Sequence, residues 1–171
     1  MRSFKSNRFI STLKINATFE LEVLVIEKKL LNTPNLLLAG SPKCGTSSIY
    51  DWLLEHGDVS GGVAKEVFYL MDSHETKCIA GECWNSLGDG GYSKKFPIKN
   101  NIVVDGTTLT MYQDSALEYA NYYKPQVIFF LRNPAKRAYS TFKYFRDSRS
   151  VIDKHETFET FLNNAKRSKY S

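Results

Sequence analysis

The chain has 171 residues, 42% of them hydrophobic and 24% charged, which is enough for one domain with a buried core and too apolar for a disordered chain. Its net charge of +5 favours anionic ligands: nucleotide phosphates, acidic polysaccharide, nucleic acid or a membrane surface. No apolar run approaches the roughly 20 residues of a membrane-spanning helix, no secretory-signal pattern opens the chain, and Cys44, Cys78 and Cys83 read as neither a disulfide framework nor a zinc set.

Residues 1–34 read as an N-terminal extension, partly irregular. Within it, Phe19–Leu31 fits an edge strand, with Phe19, Leu21, Val23 and Val25 alternating against Glu20 and Glu22, or equally a helix face. Asn16-Ala17-Thr18 is a glycosylation sequon. The turn Asn32–Asn35 delivers a first strand, Leu36–Ala39, apolar enough for burial on both faces. A loop, Gly40–Gly45, leads into a helix from Thr46 that should end at His56-Gly57 with glycine as its C-cap. His56 reads as a cap or dipole partner. Val59–Gly62 reads as a loop, and Ala64–Leu70 as a charged pair leading into apolar residues. Residues 72–100 are irregular, with a short helix near Ile79–Leu87.

A second buried strand starts at Ile102 and ends in Asp105 and a turn. A helix follows over Asp114–Tyr123, with Ala116, Leu117, Ala120 and Tyr123 as its apolar face. A third buried strand spans Val127–Leu131. Asn133 is placed as an N-cap and Pro134 as the first helical residue, and the helix runs to about Asp147 with Ala138, Phe142 and Phe145 inward. A last helix spans Thr157–Arg167. Strands alternating with helices predict an α/β fold, a central parallel sheet with helices on both faces in three layers. Ligands of such sheets sit at the C-terminal strand ends, which places the loop at Lys43, the turn at Asp105 and the Arg132 junction along one edge.

The stretch Leu36–Trp52 is a strand, a glycine-flanked loop and a helix N-terminus, an arrangement that presents backbone N–H groups and a positive dipole end to a phosphate. Gly40 and Gly45 have the separation of the nucleoside-triphosphate loop, but Thr46 stands where its lysine belongs and Lys43 lies inside the loop. A P-loop kinase or NTPase, with Asp105 on magnesium, is therefore one alternative reading. A non-catalytic anion- or polysaccharide-binding module that uses the basic C-terminal third is another.

Two stretches together resemble a known family. Ser41-Pro42-Lys43-Cys44-Gly45-Thr46-Ser47-Ser48 resembles the 5′-phosphosulfate loop of sulfotransferases. Phe129-Phe130-Leu131-Arg132-Asn133-Pro134, followed by Arg137-Ala138-Tyr139-Ser140, resembles their 3′-phosphate segment. The likeness is to the carbohydrate branch, glycosaminoglycan sulfotransferases in particular, and covers roughly residues 35–165. It implies a P-loop-like sulfotransferase domain over 35–171 and sulfuryl transfer from 3′-phosphoadenosine 5′-phosphosulfate to a hydroxyl or amine of a carbohydrate. The product nucleotide is 3′-phosphoadenosine 5′-phosphate. Lys43, Gly45, Thr46, Ser47 and Ser48 would hold the 5′ end, and Arg132 and Ser140 the 3′-phosphate. Lys65-Glu66-Val67-Phe68-Tyr69 is similar to the segment that carries the family's base, which implies Glu66 as the acid-base group. The alternative for Glu66 is a plain surface pair with Lys65.

Lys43 would offset charge on the leaving phosphate, and the transfer would be in line, with no covalent enzyme intermediate and no metal. Arg137 reads as an ion-pair partner and Tyr139 as packing. Partners implied are the nucleotide donor and a carbohydrate acceptor, an acidic polysaccharide among the candidates, and not nucleic acid. The resemblance implies the Golgi lumen if a membrane anchor lies outside this chain, and the cytoplasm otherwise. Two departures stand out. Glycine, at Gly106, takes the place of a lysine that many heparan-type members carry at the second strand end. The family domain also runs on for about another hundred residues, so the domain here is expected to be incomplete at its C-terminus.

Overall fold

A computed structural model describes residues 32–72, 74 and 81–166. Residues 1–31, which include the Phe19–Leu31 segment and the sequon, lie outside the described residues, as does most of the stretch before Gly81. The elements in order are β1 (Leu36–Leu38), α1 (Thr46–Leu54), β2 (Val59–Gly61), α2 (Trp84–Ser93), β3 (Ile102–Asp105), a 3-10 turn (Thr108–Tyr112), α3 (Asp114–Tyr123), β4 (Gln126–Ile128), α4 (Pro134–Lys143) with a π-turn behind it (Tyr144–Ser148), and α5 (Phe158–Lys166). The four strands form one sheet in the order β2-β3-β1-β4, all pairs parallel. This is the α/β architecture that the alternating pattern predicts.

Successive strand residues point to opposite faces, and the core divides accordingly. Leu36, Leu38 and Val104 pack with Tyr50 and Val59 on the α1 face. Leu37 and Val103 pack with Tyr69, Leu70, Tyr92, Phe96, Ala116 and Tyr119 on the α2 and α3 face. Tyrosines dominate that second layer. Tyr69 stacks on Tyr92 at 5.0 Å, and Tyr92 meets Phe96 and Tyr119 edge-on at 5.3 Å each. Such pairs add about 0.5–1.5 kcal/mol each beyond area burial. The buried hydroxyls are satisfied: Tyr119 donates to the Pro34 carbonyl at 2.7 Å and Tyr69 to that of Gly88 at 3.0 Å. A separate cluster of Phe142, Ile152 and Phe161 fastens α5 to α4.

Several expectations are corrected. Val59–Gly61 is a strand, paired with β3, rather than a loop; Gly61 is needed there because a Cβ would lie 2.1 Å from the Tyr50 hydroxyl. The first helix ends at Leu54, one turn short of Gly57, with Glu55 as its cap. The helix between the second and third strand regions is Trp84–Ser93, displaced toward the C-terminus and kinked at Gly88. α3 buries Ser115, Ala116 and Tyr119 and leaves Leu117 exposed. The third apolar run is only three residues of strand, and it sits at the sheet's edge: Phe129 is 57% exposed and Leu131 83%. Cys83 is disulfide-bonded, whereas Cys44 is free. Asn133 and Pro134 do cap α4, with the Asn133 side chain accepting from the Lys136 N–H.

Candidate functional site

β1 and β4 are neighbours, so their C-terminal ends open side by side. The pairing runs on past both strands. The Ala39 N–H donates to the Ile128 carbonyl at 3.0 Å, Phe130 N–H to Gly40 at 2.7 Å, and Ser41 N–H to Phe130 at 2.8 Å. The loop after β1 and the turn after β4 are carried upward together. Two arginines then cross between them. Arg132 Nη1 donates to the Lys43 carbonyl at 3.0 Å, and Arg137 Nη1 to the Ser41 hydroxyl at 2.7 Å.

The loop itself folds through left-handed backbone at Gly40, Lys43 and Gly45, with φ of 94°, 66° and 89°. Gly40 has no room for a side chain, since a Cβ would lie 2.6 Å from the Thr108 carbonyl oxygen. Lys43 holds its conformation against a steric penalty of about 1–2 kcal/mol. α1 starts at Gly45 without a side-chain cap. Among the described residues, nothing in the protein accepts from the Thr46, Ser47 or Ser48 N–H groups. Those donors and the helix dipole make the loop a receptive place for an anion.

Glu66 reaches the same region on the strap after β2. Lys65 Nζ lies 2.8 Å from Glu66 Oε1 and donates to the Gly106 carbonyl at 3.1 Å; Thr108 Oγ1 lies 3.3 and 3.4 Å from the two Glu66 oxygens. The strap is clamped to the turn after β3 by one hydroxyl. Thr107 Oγ1 accepts the Val67 and Phe68 N–H groups at 3.1 and 3.3 Å and donates to Asp105 Oδ1 at 2.6 Å. Tyr92 donates to the other Asp105 oxygen at 2.6 Å. Asp105 is 2% exposed. Burial pushes its carboxyl up, with bonds from Thr107 and Tyr92 opposing that, and burial pushes the Tyr92 phenol well up. The phenol therefore remains a donor. Asp105 has both oxygens engaged internally and lines neither cavity described below.

A cavity of about 720 Å³ joins these pieces. Lys43, Gly45, Thr46, Ser47, Glu66, Arg132 and Ser140 all line it. Of the residues expected at the site, Ser48 alone stays outside, exposed on α1. A smaller cavity of about 320 Å³ shares Lys43, Arg132 and Ser140 and adds Lys136, Tyr139 and Lys143. Lys43 Nζ rests 4.0 Å from the centre of the Tyr144 ring, and Arg149 lies 5.7 Å from the same ring, within cation–π range. Arg137, expected from sequence in an ion pair, has no such partner among the described residues; it donates to the Ser41 hydroxyl and lines the larger cavity. Tyr139 packs edge-on against Phe158 at 5.2 Å and also borders the smaller cavity. His56 is exposed, and its Nδ1 accepts from the Asp58 N–H at 3.2 Å, a local turn contact.

Sequence reasoning passes over Arg137, Arg149, Phe68 and Thr107. For Arg137 a signal exists: Arg137, Ser140, Thr141 and Tyr144 follow helical i, i+3, i+4, i+7 spacing and share one face. Arg149, Phe68 and Thr107 act through loop geometry that no periodicity encodes.

No family model matches the sequence, and no curated protein matches it. Among solved structures, the fold matches a sulfotransferase from Alicyclobacillus acidocaldarius with a TM-score of 0.58 and 20% sequence identity, over 78% of this chain and 57% of that one. The chain thus spans a little over half the length of that structure, and the likeness is one of fold.

Proposed function

We propose that the chain is a carbohydrate sulfotransferase that takes a sulfuryl group from 3′-phosphoadenosine 5′-phosphosulfate. One observation carries this reading: two anion grips about 90 residues apart in sequence line one cavity and are tied by the 3.0 Å bond from Arg132 to the Lys43 carbonyl. A nucleotide with anionic groups at both ends suits such a pair. The loop N–H groups, Thr46, Ser47 and Lys43 would take the phosphosulfate; Arg132 and Ser140 would take the 3′-phosphate.

In the reaction the acceptor oxygen attacks sulfur as the bond from sulfur to the 5′-phosphate oxygen breaks. The acceptor proton passes to Glu66, and 3′-phosphoadenosine 5′-phosphate leaves. Lys43 balances charge growing on the phosphate. Glu66, held by Lys65 and Thr108, has the fixed geometry a general base needs.

The test is calorimetric titration with 3′-phosphoadenosine 5′-phosphate in a chelating buffer. The wild-type chain should bind, and Lys43→Ala and Arg132→Ala should each lose about 10- to 100-fold in affinity, the range of one charge-assisted contact. Equal affinity in all three, or a requirement for magnesium, would refute the donor assignment.

A further inference from the structure

We infer that the end of the larger cavity beside Glu66 is the acceptor subsite and that it takes an uncharged sugar ring rather than an acidic one. The inference rests on the donor reading above and deepens it.

The lining of the cavity divides by chain segment. Its four cations are held by the loop, by α4 and by the turns on either side of α4: Lys43 and Arg149 over the Tyr144 ring, Arg132 on the Lys43 carbonyl, Arg137 on the Ser41 hydroxyl. The strap and the turn after β3 supply Glu66, Phe68, Thr108 and Leu109. The cation beside Glu66, Lys65, is already closed onto it at 2.8 Å and onto the Gly106 carbonyl at 3.1 Å.

Phe68 is the informative residue. It holds a left-handed backbone with φ of 50°, a conformation that bulky side chains seldom adopt. The two N–H bonds to Thr107 fix that turn, and the ring is left on the cavity wall two residues from Glu66. Strain kept by so specific an anchor is characteristic of sites that meet a ligand. An aromatic face with Leu109 beside it suits the C–H face of a sugar ring, while Thr108 and Glu66 supply polar contacts to its hydroxyls. A carboxylate or sulfate on that ring would stand beside Glu66, whose adjoining cation, Lys65, is already committed to it and to the Gly106 carbonyl, so the same wall selects against acidic sugars.

The test uses the full chain saturated with 3′-phosphoadenosine 5′-phosphate, titrated with N-acetyllactosamine and with an unsulfated glucuronate-containing disaccharide. The neutral disaccharide should bind about tenfold more tightly, a difference easily resolved by calorimetry. Phe68→Ala should weaken it by a similar factor with nucleotide affinity unchanged, which also certifies the fold, and Phe68→Tyr should restore it. Glu66→Gln should narrow the gap between the two sugars. Equal or tighter binding of the uronate sugar, no binding of either to the nucleotide-loaded chain, or indifference to Phe68→Ala would each overturn the proposal. If the nucleotide itself does not bind, the donor reading fails first, and that outcome is distinct.

Discussion

Thr107 shows how much one hydroxyl can hold. It accepts two N–H groups of the strap and donates to a buried carboxylate, so Thr107→Val leaves two donors without that acceptor, while Asp105 Oδ1 keeps only the Thr107 N–H at 2.8 Å. The loss should be about 2–3 kcal/mol of unfolding free energy, read from urea midpoints, with Thr107→Ser losing less than about 1 kcal/mol. A sequence shows such a residue only as one threonine in a polar turn. That Lys43, Arg132, Ser140 and Glu66 line one cavity is legible because the motifs carrying them fall on the loop after β1, the turn after β4, the helix that follows it and the strap after β2. Arg137 misleads because a surface arginine on a helix usually pairs with an acid, and only the register of β1 against β4 reveals that Ser41 is within its reach. Ser48 continues the hydroxyl run in sequence, but its side chain is exposed on α1 and does not line the cavity.

At the scale of elements, the parallel sheet and the helices on both faces follow from alternating apolar runs and caps, and α3 matches its expected limits because Lys124, in left-handed backbone, ends it. β2 escapes notice since a three-residue strand with one apolar side chain has no period to detect. The start of α3 depends on a residue far from it. Asp72 accepts the Asp114 N–H at 3.1 Å and the Ser115 N–H at 2.9 Å. Burial alone would raise its carboxyl, but the bonds from Ser115 and Asp114 prevail and hold it below the usual carboxylate range. A depressed acid stabilises the fold above its unfolded pKa and loses that contribution as pH falls through the lower folded value. Asp72→Ala should therefore cost about 1–2 kcal/mol at neutral pH, as for other helix caps. The gap between variant and wild type should begin to narrow as pH falls past 3.8 and close only below the lower folded value, as read from denaturation curves. A gap that persists there would show that the carboxylate is not its source.

At the largest scale, the sheet of the described residues is lopsided. β2, β3 and β1 sit under helices, whereas β4 forms a rim at which Ile128, and just beyond the strand Phe129 and Leu131, are exposed. Continuous hydrophobicity suggests a strand covered on both faces, but the same residues suit an edge, and sequence cannot separate the two. An uncovered apolar edge promotes self-association, so sedimentation should show concentration-dependent association that Phe129→Lys reduces severalfold. Unchanged behaviour in that variant would mean that the rim is not responsible. The rim strand also leads straight into Arg132, so the outermost plank of the floor bears half of the clasp. Fraying at that plank would part the two grips, and a ligand bridging them would act as a splint along it. Shoring up the margin of the sheet and keeping the loop after β1 beside the turn after β4 are, for this chain, one and the same act.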